Sequence, residues 1–151
     1  MSLYQLVYQS LSLVPFETPE LVELLHQSCA YNHRHHITGL LLYTPDGRFL
    51  QVLEGAREEV RNLYYHRIVP DPRHYNCTVF SEGPCQERTF QNWSMGFRVA
   101  QAPDMRTLLG YVPPDSPGLL VPRPHTRPEL IALLRDFVNQ CETEAALEHP
   151  W

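Results

Sequence analysis

The chain predicts an α+β fold, a ferredoxin-like βαββαββ sandwich with a C-terminal helical extension. Three observations carry this expectation. Short apolar runs with strand character recur at residues 3–10, 37–44, 48–54, 75–83 and 92–99. Two amphipathic stretches of helical length fall between them, so that hairpins and helices alternate. A proline-rich break then separates one last helical stretch near the C-terminus.

Each element has a local cause. In LYQLVYQS (3–10), Tyr4, Leu6 and Tyr8 fall on one face by period two. Residues 18–33 read as a helix, with Thr18 as N-cap, Pro19 at the first helical position and an apolar stripe of Leu21, Leu24, Leu25 and Cys29. Residues 37–44 and 48–54 form a hairpin through the turn Pro45-Asp46-Gly47. Its second strand places Phe49, Gln51 and Leu53 on one face. A second helix spans about Ala56 to Val69, with Glu58 and Glu59 in its first turn, and Pro70 and Pro72 end it. Residues 75–83 and 92–99 complete a mainly antiparallel sheet with both helices on one face.

Seven of the fourteen prolines lie in 103–128, which reads as a linker with a short helix at about 104–110. Thr126 to Glu129 is a capping box that opens a helix over about 128–147, with Leu130, Leu133, Leu134, Phe137 and Cys141 on one side. That stripe must be covered by the free face of the sheet or by another subunit. The organisation expected is therefore a ligand-holding domain at 1–100, a linker at 101–127 and a C-terminal helix at 128–151 for oligomer or partner contact.

Composition removes several function classes. A net charge of −5 and a pI near 5.9 argue against nucleic acid as a partner. All 12 basic residues are arginine, so Schiff-base chemistry and a P-loop lysine are excluded. No apolar run of membrane-spanning length and no secretory signal is visible, so no membrane contact is expected. Cys29, Cys77, Cys85 and Cys141 form no CxxC pair and read as free thiols in a reducing cytoplasm. His33, His35 and His36 lack a neighbouring Cys or carboxylate at ligand spacing and read as a solvated loop rather than a metal site.

The polar residues inside apolar runs are more telling. Gln51 in FLQVL would cost about 1–3 kcal/mol if its amide found no partner. Tyr8, Asn32, Trp93, Met95 and Arg67 each have an ordinary reading taken singly: a half-buried strand tyrosine, a helix end, two core residues, and a solvated arginine pairing with Asp71.

Taken in order, the motifs are more specific. Tyr8 followed by Ser10, Asn32, ITGLLLY (37–43), FLQVLEG (49–55), DPRH (71–74) and WSMGF (93–97) resemble the BLUF domain, a family of small blue-light sensors that hold a flavin non-covalently. The resemblance spans roughly residues 3–98. It implies a flavin held by Tyr8, Asn32, Phe49, Gln51, Arg67, Ile68, Asp71 and His74. FAD is the expected form, with FMN and riboflavin left open. It implies that the tyrosine at position 8 gives an electron and a proton to the photoexcited ring. The glutamine at position 51 then rotates or tautomerises, an exchange suited to an amide because its two ends are alike in shape and opposite in hydrogen-bonding sense. Asn32 offers both a donor and an acceptor for the ring's N3–H/O4 edge. Trp93 and Met95 are expected to share a face with Phe97 on the fifth strand and to relay the change, with either one beside Gln51.

The chain departs from the family pattern in four places. LYYHRI carries one extra tyrosine in the second helix, about 100° of rotation, so either a π-bulge absorbs it or Arg67 and Ile68 are displaced. Tyr31 stands where the family often has Asn or His, His36 replaces a common glycine, and Gln9 replaces an apolar residue. The expected function is a short, cytoplasmic BLUF photoreceptor with no enzymatic domain, acting through a homo-oligomer or a separate effector protein. The rival is a light-insensitive ferredoxin-like interaction module. An acylphosphatase-type hydrolase would need an arginine-rich anion loop that residues 10–17 lack, and a flavin oxidoreductase would need open space over N5 where Gln51 and Tyr8 are expected.

Overall fold

A computed structural model describes residues 3–14, 16–91, 93–100 and 127–143, with side chains of the last segment described to residue 138. The order is β1 (Leu3–Ser12), α1 (Thr18–Arg34), β2 (Thr38–Thr44), β3 (Arg48–Ala56), α2 (Arg57–Leu63), a π-helical turn (Tyr64–Ile68), β4 (His74–Cys85), β5 (Gly96–Val99) and α3 (Arg127–Thr143). The five strands form one sheet in the order β4-β1-β3-β2-β5. β1 pairs antiparallel with β3 and β4, β2 pairs antiparallel with β3, and β5 runs parallel to β2. The α+β, ferredoxin-like expectation holds.

Period-two alternation divides the strands between two cores. Tyr4, Leu6, Tyr8, Leu41, Tyr43, Phe49 and Leu53 face α1 and α2 and pack with Leu25, Tyr31, Val60, Leu63 and Tyr64. Val7, Leu40, Leu42, Leu50 and Val52 face the other way and pack with Leu130, Leu134 and Val138 of α3. The stripe of the C-terminal helix is thus covered by the sheet's free face. Arg127 ties the start of that helix to the Pro84 carbonyl at 2.9 Å. The capping residue Thr126, the short helix at 104–110 and Cys141's side chain lie outside the described residues.

Three expectations change in detail, and two departures from the family pattern find their structural outcome. Glu17, not Thr18, caps α1, and the Glu20 carboxylate accepts its backbone N–H at 3.0 Å. β4 extends to His74–Cys85, whereas β5 begins only at Gly96. The extra residue of the second helix is absorbed by the π turn, where Val69 N–H reaches the Tyr64 carbonyl at 2.9 Å, five residues back. His36, in the family's glycine position, adopts φ 56°, a left-handed conformation that costs a side chain about 1 kcal/mol.

Candidate functional site

Between α1, the α2–π segment and the helix-facing side of the sheet lies an open cleft. Its lower wall is apolar, formed by Leu41, Phe49, Leu63 and Ile68. Its outer rim is charged and polar, with Gln27, Ser28, Arg67, Asp71 and Arg73. An apolar slot with a few convergent polar groups is the usual form of a small-molecule site.

At the floor, the register sets Tyr8 directly opposite Gln51 on neighbouring strands. The Tyr8 hydroxyl donates to Gln51 Oε1, and Gln51 Nε2 reaches Met95 Sδ at 3.3 Å. A thioether is a weak acceptor, so that N–H is held loosely and a better acceptor in the cleft would take it. Tyr8, Gln51 and Met95 are 4%, 6% and 0% exposed, so water does not compete with these bonds. Burial pushes the Tyr8 hydroxyl well above its ordinary pKa, and it stays protonated and able to donate. Tyr64 packs on it, ring centroids 4.9 Å apart, and is pushed upward by burial as well.

Asn32 enters from the last turn of α1 and donates to the Ser94 carbonyl at 2.8 Å, which uses only part of what an amide offers. Arg67 lies over the Tyr31 ring, 4.5 Å from its centroid, instead of pairing with Asp71. Asp71 pairs with Arg73 at 2.6 Å, and that bond holds its carboxyl below the usual range. His74 bridges Ser10 Oγ at 2.8 Å and the Ile68 carbonyl, pinning the end of the π turn to β1.

Tyr8, Asn32, Phe49, Gln51, Arg67, Ile68, Asp71 and His74 all line this one cleft, and Met95 joins them. Trp93 does not. Residues 93–95 precede β5 and are not extended, so period two does not apply to them. The Trp93 ring folds over Gly96, where a Cβ would meet it at 2.3 Å. It stacks with Phe90 and takes Arg98 over its face at 5.0 Å, on the α3 side. Met95 is therefore the neighbour of Gln51, and the expected shared face of Trp93 and Met95 is corrected.

Further lining residues were not singled out from sequence. Leu24, Gln27, Ser28 and Tyr31 line the cleft with Asn32. Their spacing is that of one helix face, a signal that could have found them once Asn32 was chosen. Among the histidines, His35 stacks on Tyr31 at 4.1 Å and pairs with Glu59 at 2.6 Å. No group able to hold a metal ion occurs among the described residues.

A slot that is apolar inside and edged by amides and a buried phenol suits a flat, polar-edged ring. The profile of the family described as "Sensors of blue-light using FAD" matches residues 3–96. The structure is similar to that of BlrB, described as a BLUF protein in its dark state, at 29% identity and TM-score 0.68 over 93% of this chain and 97% of that one. It is also similar to the photo-activated state of BlsA, at 25% identity and TM-score 0.66 over 99% of both. Among curated relatives, the beta subunit of a photoactivated adenylate cyclase from Euglena gracilis is 32% identical over 72% of this chain and 13% of its own length. The alpha subunit is 27% identical over 98% of this chain and 16% of its own length. The chain thus spans about one sixth or less of those cyclases. It belongs to the BLUF family, and the matched region is a flavin-binding blue-light sensor module.

Proposed function

We propose that this chain senses blue light through Tyr8 and Gln51, and that the observation carrying the reading is the Tyr8–Gln51–Met95 chain at the floor of the cleft. The residues fit a flavin: an apolar slot, two amides with spare hydrogen-bonding capacity and a phenol kept neutral by burial. Bound flavin supplies blue-light absorption and an oxidising excited state. Tyr8 gives up an electron and its hydroxyl proton and later recovers both. Gln51, freed from the Tyr8 hydroxyl in between, exchanges its amide ends. Its carbonyl then points where its N–H had been, toward a sulfur that accepts but does not donate.

FAD is the form we assign, whose tail the charged rim of Arg67, Asp71 and Arg73 would meet; FMN and riboflavin share the ring and remain alternatives. Phe49 and Ile68 would flank the ring, Asn32 would meet its polar edge, and His74 would hold the π turn beneath it. We assign sensing to residues 1–100 and output to 128–151, with 101–127 as their connection. Output would pass to a separate effector or within a homo-oligomer. The stripe of α3 is spent on the sheet, so such contacts would use other surfaces. A cytoplasmic setting accords with Cys29, Cys77 and Cys85 as free thiols. No helix among the described residues is long and apolar enough to cross a membrane.

An absorption spectrum in the dark and after blue light tests the reading, repeated on Gln51→Leu. The expected result is a small red shift that recovers in the dark in the natural chain and is absent in the variant, with flavin bound in both. A light-induced shift of equal size in Gln51→Leu would sink the assignment to Gln51. A protein that binds no flavin on reconstitution would favour the interaction-module reading.

A further inference from the structure

The most deeply buried charged side chain among the described residues is not in the cleft. Glu54, 0% exposed, stands on β3 three residues beyond Gln51 and on the opposite face. Its carboxylate accepts four hydrogen bonds: from Thr89 N–H at 2.7 Å, Phe90 N–H at 2.9 Å, Gln5 Nε2 at 2.9 Å and Thr38 Oγ1 at 3.2 Å. No cation bonds that carboxylate among the described residues. Arg88 passes beside it and donates instead to Thr38 Oγ1, to the Glu54 backbone carbonyl and to the His36 carbonyl. Because Thr38 accepts from Arg88, its hydroxyl is left to donate to Glu54. Every partner of Glu54 is then a donor, and the group acts as a pure acceptor, the hydrogen-bonding role of a carboxylate.

Burying a carboxylate without a cation is costly, and an apolar residue at the same point would often serve packing better. What Glu54 holds explains its presence. Residues 89–90 and 94–95 lie toward opposite faces of the sheet. At one end, the backbone N–H groups of Thr89 and Phe90 are gripped by Glu54, and the Phe90 ring belongs to the same buried cluster as Leu130, Leu134 and Val138 of α3. At the other end, Asn32 bonds the Ser94 carbonyl and Gln51 bonds the Met95 sulfur. Between them, Trp93 N–H closes on the Phe90 carbonyl at 3.0 Å, and Gly39 N–H holds the Trp93 carbonyl at 3.1 Å.

We propose that Glu54 is a positioning residue that, by holding residues 89 and 90, lets Phe90, Trp93 and Met95 act as a lever between the Gln51 switch and α3. The proposal rests on the reading of Gln51 above. When the Gln51 amide exchanges its ends, a carbonyl oxygen faces the Met95 sulfur, acceptor against acceptor, and Met95 must move. A segment anchored only at Met95 would absorb that movement. Held at residues 89 and 90 by Glu54, it passes the movement through Phe90 into the cluster beneath α3.

The test is Glu54→Gln in the full chain reconstituted with FAD, read by two signals: the light-induced red shift and the light-minus-dark hydrogen exchange of residues 127–138 by mass spectrometry. The single amide oxygen of Gln still accepts from one of the two backbone N–H groups, while its N–H2 faces the other, donor against donor, so one of the two grips on residues 89 and 90 is lost while Tyr8 and Gln51 are untouched. The natural chain is expected to show both signals. Glu54→Gln is expected to keep the red shift and reduce the exchange difference. A residue that only stabilised the fold would raise exchange equally in dark and light and leave the difference intact. That result, or a natural chain whose spectrum shifts with no exchange difference at α3, overturns the lever. Absence of the red shift from the natural chain fails the Gln51 reading itself, seen in the spectrum before any exchange is measured, and the lever falls with it. Should Glu54→Gln not fold around flavin, Thr89→Pro removes one of the two backbone N–H groups that Glu54 holds; a reduced exchange difference with the shift intact supports the lever, and an unchanged difference overturns it.

Discussion

Tyr8 and Tyr64 share one buried environment, and both hydroxyls are pushed upward by it. Each stays neutral in the folded protein while the unfolded chain begins to ionise near pH 10. Both therefore contribute stability that is complete below about pH 10 and drains away as pH rises through each folded value. Urea midpoints measured from about pH 9 to 11 should fall with rising pH, and fall less steeply in Tyr64→Phe, which removes one of the two groups. An equal slope in the variant would mean that Tyr64 does not contribute. At this scale the sequence was informative for Gln51, since an amide in an apolar strand needs a partner, but it left Trp93 and Met95 unresolved. Which of them meets Gln51 depends on the turn before β5, and neither residue type reveals that turn.

The π turn belongs to the element scale. One extra residue in an α-helix rotates everything after it by about 100°. Widening a single turn absorbs that residue and restores the phase, and Arg67 and Ile68 line the cleft as a result. Deleting Tyr65, which is 41% exposed, should let α2 continue as an ordinary helix with Arg67 and Ile68 still facing the cleft. Flavin retention and the red shift should survive the deletion, at the loss of the Tyr65 hydroxyl bond to Glu82. Loss of bound flavin in that variant would mean the π turn shapes the cleft itself. The sequence showed the extra tyrosine and the two ways to accommodate it. Packing chose between them, because Tyr64 is buried against Tyr8 and His74 pins the Ile68 carbonyl.

For the whole molecule, the sheet separates two faces with different duties. The flavin cleft is on one, and α3 is on the other, seated by Leu130, Leu134 and Val138. Leu134→Ala should cost about 2–5 kcal/mol of stability in urea unfolding. Bound flavin and the red shift should persist, because the cavity it creates lies across the sheet from the cleft. A variant that loses flavin as readily as stability would show the two faces to be one cooperative unit.

The sequence by itself determined the order of elements, the alternating faces of the strands and the hairpin, because period and turn chemistry are local signals, while the residues expected in the cleft came from the family resemblance. The sequence also carried that resemblance, through short motifs in fixed order. Only the tertiary structure decided that β5 runs parallel to β2, that α3 covers the sheet, that Met95 rather than Trp93 touches Gln51, and that Glu54 gathers four donors from separate parts of the chain. Those outcomes depend on contacts between residues far apart in sequence, where several partners satisfy the same local pattern and only packing selects one.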